Sequence, residues 1–460
     1  MNRRFVNLVL VDYDTRIHSL FRLDVAKHLF YPSTAQAETA NAKQETNNGG
    51  GGGGDNKSRK PPRLKWPKLP RFKWLGRLLE PCMRFFQYPP ADDGDEEPEP
   101  PWRSYEVDAF MLLRPGCSDG TILHATNGGR TVIYDADKNA ICATVPFFDT
   151  GMGGEPVVFS IPGAGSEEKE RLYVMRSTFA SPVHHYDHRR YYYHPRNNDE
   201  DDEDHRCSGD FVVLDFNQQQ PYKWQHLPRP AFVVDKGCSA GSHFRIRSSA
   251  VVDGGRTIVV SADESSNGYS IKCSGGVEFT YWFDTATRQW RHAGDWALPF
   301  SGRAEYVPEL NTWIGLSSTS PHHLCAIDLS SAMDAGDRAP PTPHHVWDDF
   351  TLPVYEESSA VLNRHHPQYV LQRSTEWWPE KHSLVNLGSG RFCTLKVFFI
   401  RRRECVGFYE PDMDKPDDEE FAVLTGVEVV RCHDGEEEGG LRMVKHKSKR
   451  CVLDHDHCLF

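Results

Sequence analysis

No stretch of the 460-residue chain approaches the roughly 18 uninterrupted apolar residues of a membrane-spanning helix. The best, Phe5–Val11 and Leu395–Ile400, are far shorter and are broken by Asn7 and Lys396, so no transmembrane segment is predicted and a soluble protein is expected. Met1–Val11 does not read as a signal peptide: its apolar stretch holds Asn7, stops at Asp12 and lacks a small-residue cleavage site. The 12 cysteines contain no Cys-x-x-Cys pair and are too few for a disulfide framework, which predicts reduced thiols in the cytoplasm or nucleus. There is no Gly-x-Ser-x-Gly elbow, no His-Glu-x-x-His pair and no P-loop. Gly151–Gly154 is no phosphate cradle either, because strand-rich sequence rather than a helix surrounds it. Helical periodicity of any length is equally scarce.

Excess positive charge is also lacking. The net charge of −12 argues against a general nucleic-acid binder, so no specific nucleic acid is expected as a partner. The acid comes in blocks at Asp92–Glu99, Asp199–Asp204 and Asp412–Glu420, which read as solvated loops before they read as metal sites. One tract runs the other way. Lys57–Arg84 carries ten Lys and Arg against the single Glu80. Its cations alternate with aromatics at Lys65, Trp66, Arg71, Lys73 and Trp74, a pattern suited to weak contact with an anionic surface. Docking on the neighbouring acidic block is an equally good account of it.

What is present is β-sequence. Phe5–Val11 and Ile17–Leu23 flank turn material and predict a hairpin. Residues 32–104 read as a disordered insertion, Gly-rich, then basic, then acidic, with Ser33 able to cap a short helix at Ala35. From Tyr105 a unit recurs. An apolar strand ends in an acidic residue, a turn follows, and a second strand, often opened by Trp, closes in Pro. Thr131–Asp135 leads to Ala140–Pro146, Phe211–Asp215 to Trp224–Pro228, Tyr281–Asp284 to Trp290–Pro299 and Leu324–Asp328 to Trp347–Pro353. A looser copy runs from Val406–Glu410 to Phe421–Val430.

A small four-stranded sheet cannot bury two apolar faces alone, whereas stacking such sheets around an axis covers both. The expected fold is therefore an all-β propeller of six blades, with seven as the alternative count. The hairpin of residues 1–31 would complete the last blade together with Leu441–Val444 and Arg450–Leu453, closing the ring. Residues 105–460 form the body, interrupted by a polar loop at 181–208. Without the insertions this leaves about 60 residues per blade, above the ~40–50 of standard propeller repeats.

Gly128-Gly129 before Val132–Asp135, and Gly275-Gly276 before Tyr281, Asp284 and Trp290, resemble the glycine doublet, Tyr-Asp and Trp of kelch repeats. Gly302–Leu310 and Leu384–Cys393, with Arg4–Asp24 and His28–Thr34, resemble a large family expanded in grasses. The resemblance implies a kelch-like propeller and no established activity.

Histidine offers the only conspicuous chemistry. Four adjacent pairs stand at His184-His185, His322-His323, His344-His345 and His365-His366. The patch His184, His185, His188 and His194 reads as a polar loop, since a metal needs converging ligands with a supporting shell. Cys451, His455, His457 and Cys458, with Cys432 and His433 upstream, are too cramped for a structural zinc site. No catalytic, cofactor or metal residue is therefore assigned, and no cofactor is expected. The expected function is a monomeric, non-catalytic scaffold that binds a protein partner through loops on one face. The alternatives are a metal-dependent oxidase or hydrolase on the same fold, or membrane or RNA association through residues 57–84.

Overall fold

The computed structural model describes residues 3–12, 15, 17–48, 73–74, 80–86, 109–113, 120–126, 131–145, 156–162, 170–180, 210–217, 222–235, 243–265, 278–330, 340–350, 356–361, 370–406, 419–432, 440–452 and 457–459. Strands dominate, and they pair with their sequence neighbours. Sheet I holds the expected hairpin, Phe5–Asp12 against Ile17–Asp24, in antiparallel register from Phe5↔Asp24 to Asp12↔Ile17. His457–Leu459 adds on one side of it and Met83–Phe86 on the other. Sheet II is Ala109–Leu112, Thr121–Ala125, Thr131–Asp135 and Ala140–Val145, each antiparallel to the next. Sheet III repeats this order with Val157–Ile161, Arg171–Met175, Phe211–Asp215 and Trp224–His226.

Sheet IV comprises His243–Val252, Thr257–Ser265, Glu278–Asp284 and Gln289–Gly294, and sheet V comprises Phe300–Val307, Thr312–Ser317, Leu324–Ile327 and His345–Trp347. Three parallel pairs, Ser248↔Gly302 to Ala250↔Ala304, join IV and V into one nine-stranded sheet that also takes up Thr178–Ala180. Sheet VI is built on the longer strands Val370–Gly388, Arg391–Val406, Glu419–Arg431 and Leu441–Val452, with Glu356–Val361 and Lys73–Trp74 at its edges.

The recurrent acidic residue has a local physical cause. In sheets II to V it ends or directly follows the third strand, and its carboxylate accepts backbone N–H groups of the turn that follows. Asp135 Oδ1 takes Asp137 and Lys138, Asp215 Oδ1 takes Asn217, Asp284 Oδ1 takes Ala286 and Thr287, and Asp328 Oδ1 takes Ser330. These are Asx-turns, in which a side chain replaces a missing backbone partner. The Thr287 and Ala286 N–H groups and the Arg256 guanidinium hold the Asp284 carboxyl below its ordinary pKa. In sheet IV the Trp of the fourth strand reaches toward the preceding sheet. Trp290 Nε1 donates to Pro228 O at 2.9 Å, and its ring lies 5.7 Å from that of Phe211.

Alternation gives each sheet two apolar faces, and six cores fill the spaces between consecutive sheets. Val9, Leu20 and Phe85 of sheet I meet Phe110, Ile122 and Tyr134 of sheet II. Leu123 and Ile133 then meet Leu172 and Val174, while the opposite faces of those sheet III strands, Tyr173 and Val213, meet Val260 and Phe283 of sheet IV. Val252 and Val259 pack on Phe300 and Trp313 of sheet V, and Ile314 and Leu316 pack on Phe392 and Val427 of sheet VI. Leu395, Ala422 and Leu424 of sheet VI pack on Val6, Leu8 and Leu23 of sheet I.

Three expectations change. Residues 32–104 do contribute ordered structure: a helix spans Thr34–Asn48, capped by Ser33 Oγ at 3.3 Å from the Gln36 N–H, and Ala37 and Phe85 are buried. Their periodicity gave no warning because the core contact depends on partners supplied from elsewhere in the chain. Leu441–Val444 and Arg450–Val452 are parts of one strand, Leu441–Val452, that belongs to sheet VI, so of the described C-terminal strands His457–Leu459 alone joins the hairpin. The fifth landmark strand begins earlier, at Arg391, and ends at Val406. Residues 407–410 of that landmark, both glycine doublets and the loop at 181–208 lie outside the described residues.

Candidate functional site

The regular pairing breaks on the first strand of sheet V. Ser301 pairs with Leu316 but the next partners are Glu305 and Ile314, so Gly302, Arg303 and Ala304 together oppose Gly315. The extra residues bulge out of the ladder, with Gly302 at φ 77°. Gly315 has to lack a side chain for this to happen, because a Cβ there would lie 2.5 Å from Phe300 Cδ1 and 3.2 Å from Ala304 Cβ. The bulged residues pair instead with Ser248, Ser249 and Ala250, on a strand whose own register shifts between Ile246 and Ser248. Bulges re-aim side chains, and this one turns Arg303 toward the first strand of sheet III. Arg303 Nη1 donates to Val158 O at 3.0 Å, its guanidinium carbon lies 5.8 Å from the Phe159 ring centroid, and Glu305 Oε1 stands 3.9 Å from Nε. First strands of three sheets thus converge on one cation. Among the described residues, the buried Ser160 Oγ, Ser248 Oγ and Arg303 Nε have no hydrogen-bond partner.

Beside the bulge, Ser301 Oγ and His382 Nε2 are 2.7 Å apart, bridging sheets V and VI. His322 stacks on His382 with centroids 3.9 Å apart and planes 20° from parallel, and its Nδ1 lies 2.9 Å from Ser317 O. Burial, helped by the charges on His322 and Lys396, pushes the His382 pKa down to about 3; burial also lowers that of His322. A serine hydrogen-bonded to an imidazole is the geometry of an activated nucleophile. A general base works best with a pKa near the operating pH, and His382 is far below it. The pair is arranged as a dyad but is electrostatically poor at taking a proton.

Deeper between the same sheets, Lys396 Nζ donates to Asp349 Oδ1 at 2.8 Å, and both side chains are buried. The Leu324 N–H donates to the same oxygen at 3.1 Å, while His323 Nδ1 stands off at 3.6 Å. Burial alone would raise the Asp349 pKa; His323, the Lys396 charge and these hydrogen bonds outweigh it and keep the carboxylate ionised. Burial and the Asp349 charge push the nearby Cys325 thiol up to about 12. This cluster is a buried structural ion pair in which Asp349 Oδ2 and His323 Nδ1 have no hydrogen-bond partner among the described residues.

The structure separates the adjacent histidines. His322 faces His382, whereas His323 faces Asp348 and Asp349, as side chains of successive residues diverge. The His345 ring stacks on Trp347. Cys451 is a core residue of the seam between sheets I and VI, its thiol pushed up to about 12 by burial. No group of three or more His, Cys, Asp or Glu side chains able to hold a metal occurs among the described residues. His184, His185, His188, His194, His365, His366, His433 and His455 lie outside them, as do Lys65, Trp66 and Arg71. Lys73 and Trp74 form a two-residue strand in parallel register with Lys449 and Arg450. No described helix is long and apolar enough to cross a membrane. Sequence reasoning missed the Arg303 and Ser301–His382 sites; the only signal was the unusual Gly302–Leu310 stretch itself.

Among solved structures, the chain is similar to the beta-propeller domain of Myceliophteria thermophila Cps50 (Swd1), with 10% identity, a TM-score of 0.25, and coverage of 73% of this chain and 99% of that one. It is also similar to Zg3597, a family 117 glycoside hydrolase of Zobellia galactanivorans, at 10% identity and TM-score 0.23, covering 65% and 85%. These scores are too low to carry an argument. No curated protein matches the chain. A family profile described as protein of unknown function (DUF1668) matches residues 3–452, nearly the full length, and the chain belongs to that family.

Proposed function

We propose that the protein is a non-catalytic scaffold on a six-bladed, kelch-like propeller, each sheet being one blade, and that it engages a protein partner at the axial end carrying the bulge. The six cores between consecutive sheets, the last returning from sheet VI to sheet I, support the ring. His457–Leu459 would supply the first strand of the closing blade and the N-terminal hairpin the next two. First strands of successive blades line the axis in such a ring, and rigid scaffolds commonly present binding residues where regular pairing is interrupted. The observation that carries the binding face is the Gly302–Ala304 bulge. Affinity capture from native tissue with wild type, Arg303→Ala and the double variant His322→Ala/His382→Ala tests it. Loss of shared partners at unchanged melting temperature is expected; full retention by every variant overturns the reading.

The Ser301–His382 contact motivates a second reading, a hydrolase with Ser301 as nucleophile. A fluorophosphonate probe that labels wild type but not Ser301→Ala supports it, and absence of labelling overturns it. The depressed pKa of His382 is why we place it second.

A further inference from the structure

We propose that the seam between sheets VI and I carries a basic surface that docks on an anionic lipid bilayer, through Lys27, Lys447, Lys449, Arg84 and the exposed ring of Phe86. It is separate from the axial face and does not depend on it. The basic tract of the sequence is pinned here at two points. Lys73–Trp74 adds in parallel to the edge of sheet VI at Lys449 and Arg450, and Met83–Phe86 adds to the edge of sheet I along Ile17–Leu20. The strand it meets on sheet VI is itself basic, since Leu441–Val452 carries Arg442, Lys445, Lys447, Lys449 and Arg450.

The neighbouring core shows which way these side chains face. Lys449 lies opposite Leu424, which packs between sheets VI and I. Lys447 Nζ donates to Lys27 O at 3.4 Å and lies 5.1 Å from the Tyr31 ring centroid. Burial and the charges of Lys27, Lys449 and Lys447 hold the His28 pKa below its ordinary value, against the opposing pull of Asp24. That carboxylate is already engaged, by Arg4 Nε at 3.3 Å and the Lys27 N–H at 3.1 Å. Neither the Lys27 nor the Lys449 ammonium has an ion pair with another described residue. On sheet I, Phe85 packs toward sheet II, so alternation turns Arg84 and Phe86 to the side of sheet VI. Phe86 is 59% exposed, the one exposed large apolar side chain among the described residues of these two sheets.

The chain as a whole carries −12, so these cations are gathered against its average, and holding like charges together is unfavourable. An anionic bilayer offsets this with a spread of negative charge that needs no fitted groove. The acid elsewhere on the chain orients the approach, because the remainder is repelled by the same surface. Phe86 distinguishes a bilayer from a nucleic acid. Its ring can leave water at the headgroup boundary, which adds an apolar gain to the electrostatic one. Single-stranded RNA would call for several aromatic platforms along a groove, and this seam exposes one ring among its described residues.

The test is cosedimentation of the full chain with phosphatidylcholine vesicles and with mixed phosphatidylcholine–phosphatidylserine vesicles, over a range of salt. Binding to the mixed vesicles alone is expected, and it should fade as salt rises. Lys27→Gln/Lys447→Gln/Lys449→Gln should weaken it about a hundredfold, roughly fivefold per lysine, at unchanged melting temperature. Lys27→Arg/Lys447→Arg/Lys449→Arg should bind as wild type does, because the charge survives. Phe86→Ser should weaken binding about fivefold. A uridine oligonucleotide should fail to displace the chain from the vesicles. Absence of binding to the mixed vesicles, undiminished binding by the glutamine variant, or equal loss in the glutamine and arginine variants overturns the proposal. So does displacement by the oligonucleotide, which would make the seam a nucleic-acid surface instead.

Discussion

Two polar regions lie around sheet V and differ in how completely they are used. At Asp349 the buried carboxylate has the Lys396 ammonium and the Leu324 N–H, and the cation has the carboxylate. At Arg303 the cation sits 3.9 Å from a carboxylate it does not grip, is held by the Val158 carbonyl through Nη1, and keeps a buried Nε with no hydrogen-bond partner among the described residues. Both regions cost desolvation. The first returns part of that cost through a buried ion pair and leaves Asp349 Oδ2 over, whereas the second returns it through one carbonyl contact and leaves Arg303 Nε over.

The comparison would be broken most severely by Lys396→Met. Removing one member of a buried pair strands the other, and a loss of about 3–5 kcal/mol is expected in denaturant unfolding. Asp349→Asn/Lys396→Met should recover much of it, since both charges then leave together. An acid titration gives the next effect. His382 is depressed to about 3 by burial, so the stability it contributes is present above its unfolded pKa of about 6.5 and is lost as pH falls toward 3. His382→Gln should flatten that limb. Glu428, held at about 2 chiefly by the His446 hydrogen bond with Thr34 and Arg391 assisting, acts lower: its contribution is lost only below about pH 4.3. Glu428→Gln should therefore leave the upper limb unchanged.

The turns set an intermediate standard. Asp284→Ala and Asp135→Ala each remove a carboxylate from two backbone N–H groups and should cost about 1 kcal/mol apiece, nearly equally, if the turn is a true repeat. Ser248→Ala is the smallest effect and should be neutral or stabilising by under ~1 kcal/mol. Opposite signs at Asp284 and Ser248 would sharpen the contrast between polar groups the fold consumes and those it leaves over.

What could be read from the sequence was whatever is decided locally. The acidic turn residues recur because Asp135, Asp215, Asp284 and Asp328 each act on N–H groups two or three residues on, so the pattern survives in one dimension. The N-terminal hairpin was legible for the same reason. Phe85 was not: its strand pairs with Ile17–Leu20 across a polar tract that carries no periodicity of its own. Nor was the site. Arg303 meets Val158 145 positions away and His382 meets Ser301 81 away, and the parallel pairing at Ser248–Ala250 depends on a bulge that hydrophobic alternation does not encode. Lys396 stands within an otherwise apolar run, and only the fold reveals that Asp349 makes it affordable.

The pairing of Leu8–Leu10 with His457–Leu459 also sets an order of events. The strand Phe5–Asp12 keeps one edge unmatched until a segment far along the chain has folded onto it. Sheets II to V can each form from a contiguous stretch, but this contact closes the longest loop among the described strand pairings. Its formation should be the slow step of folding, and until then the open edge of that strand is the part most exposed to wrong pairing.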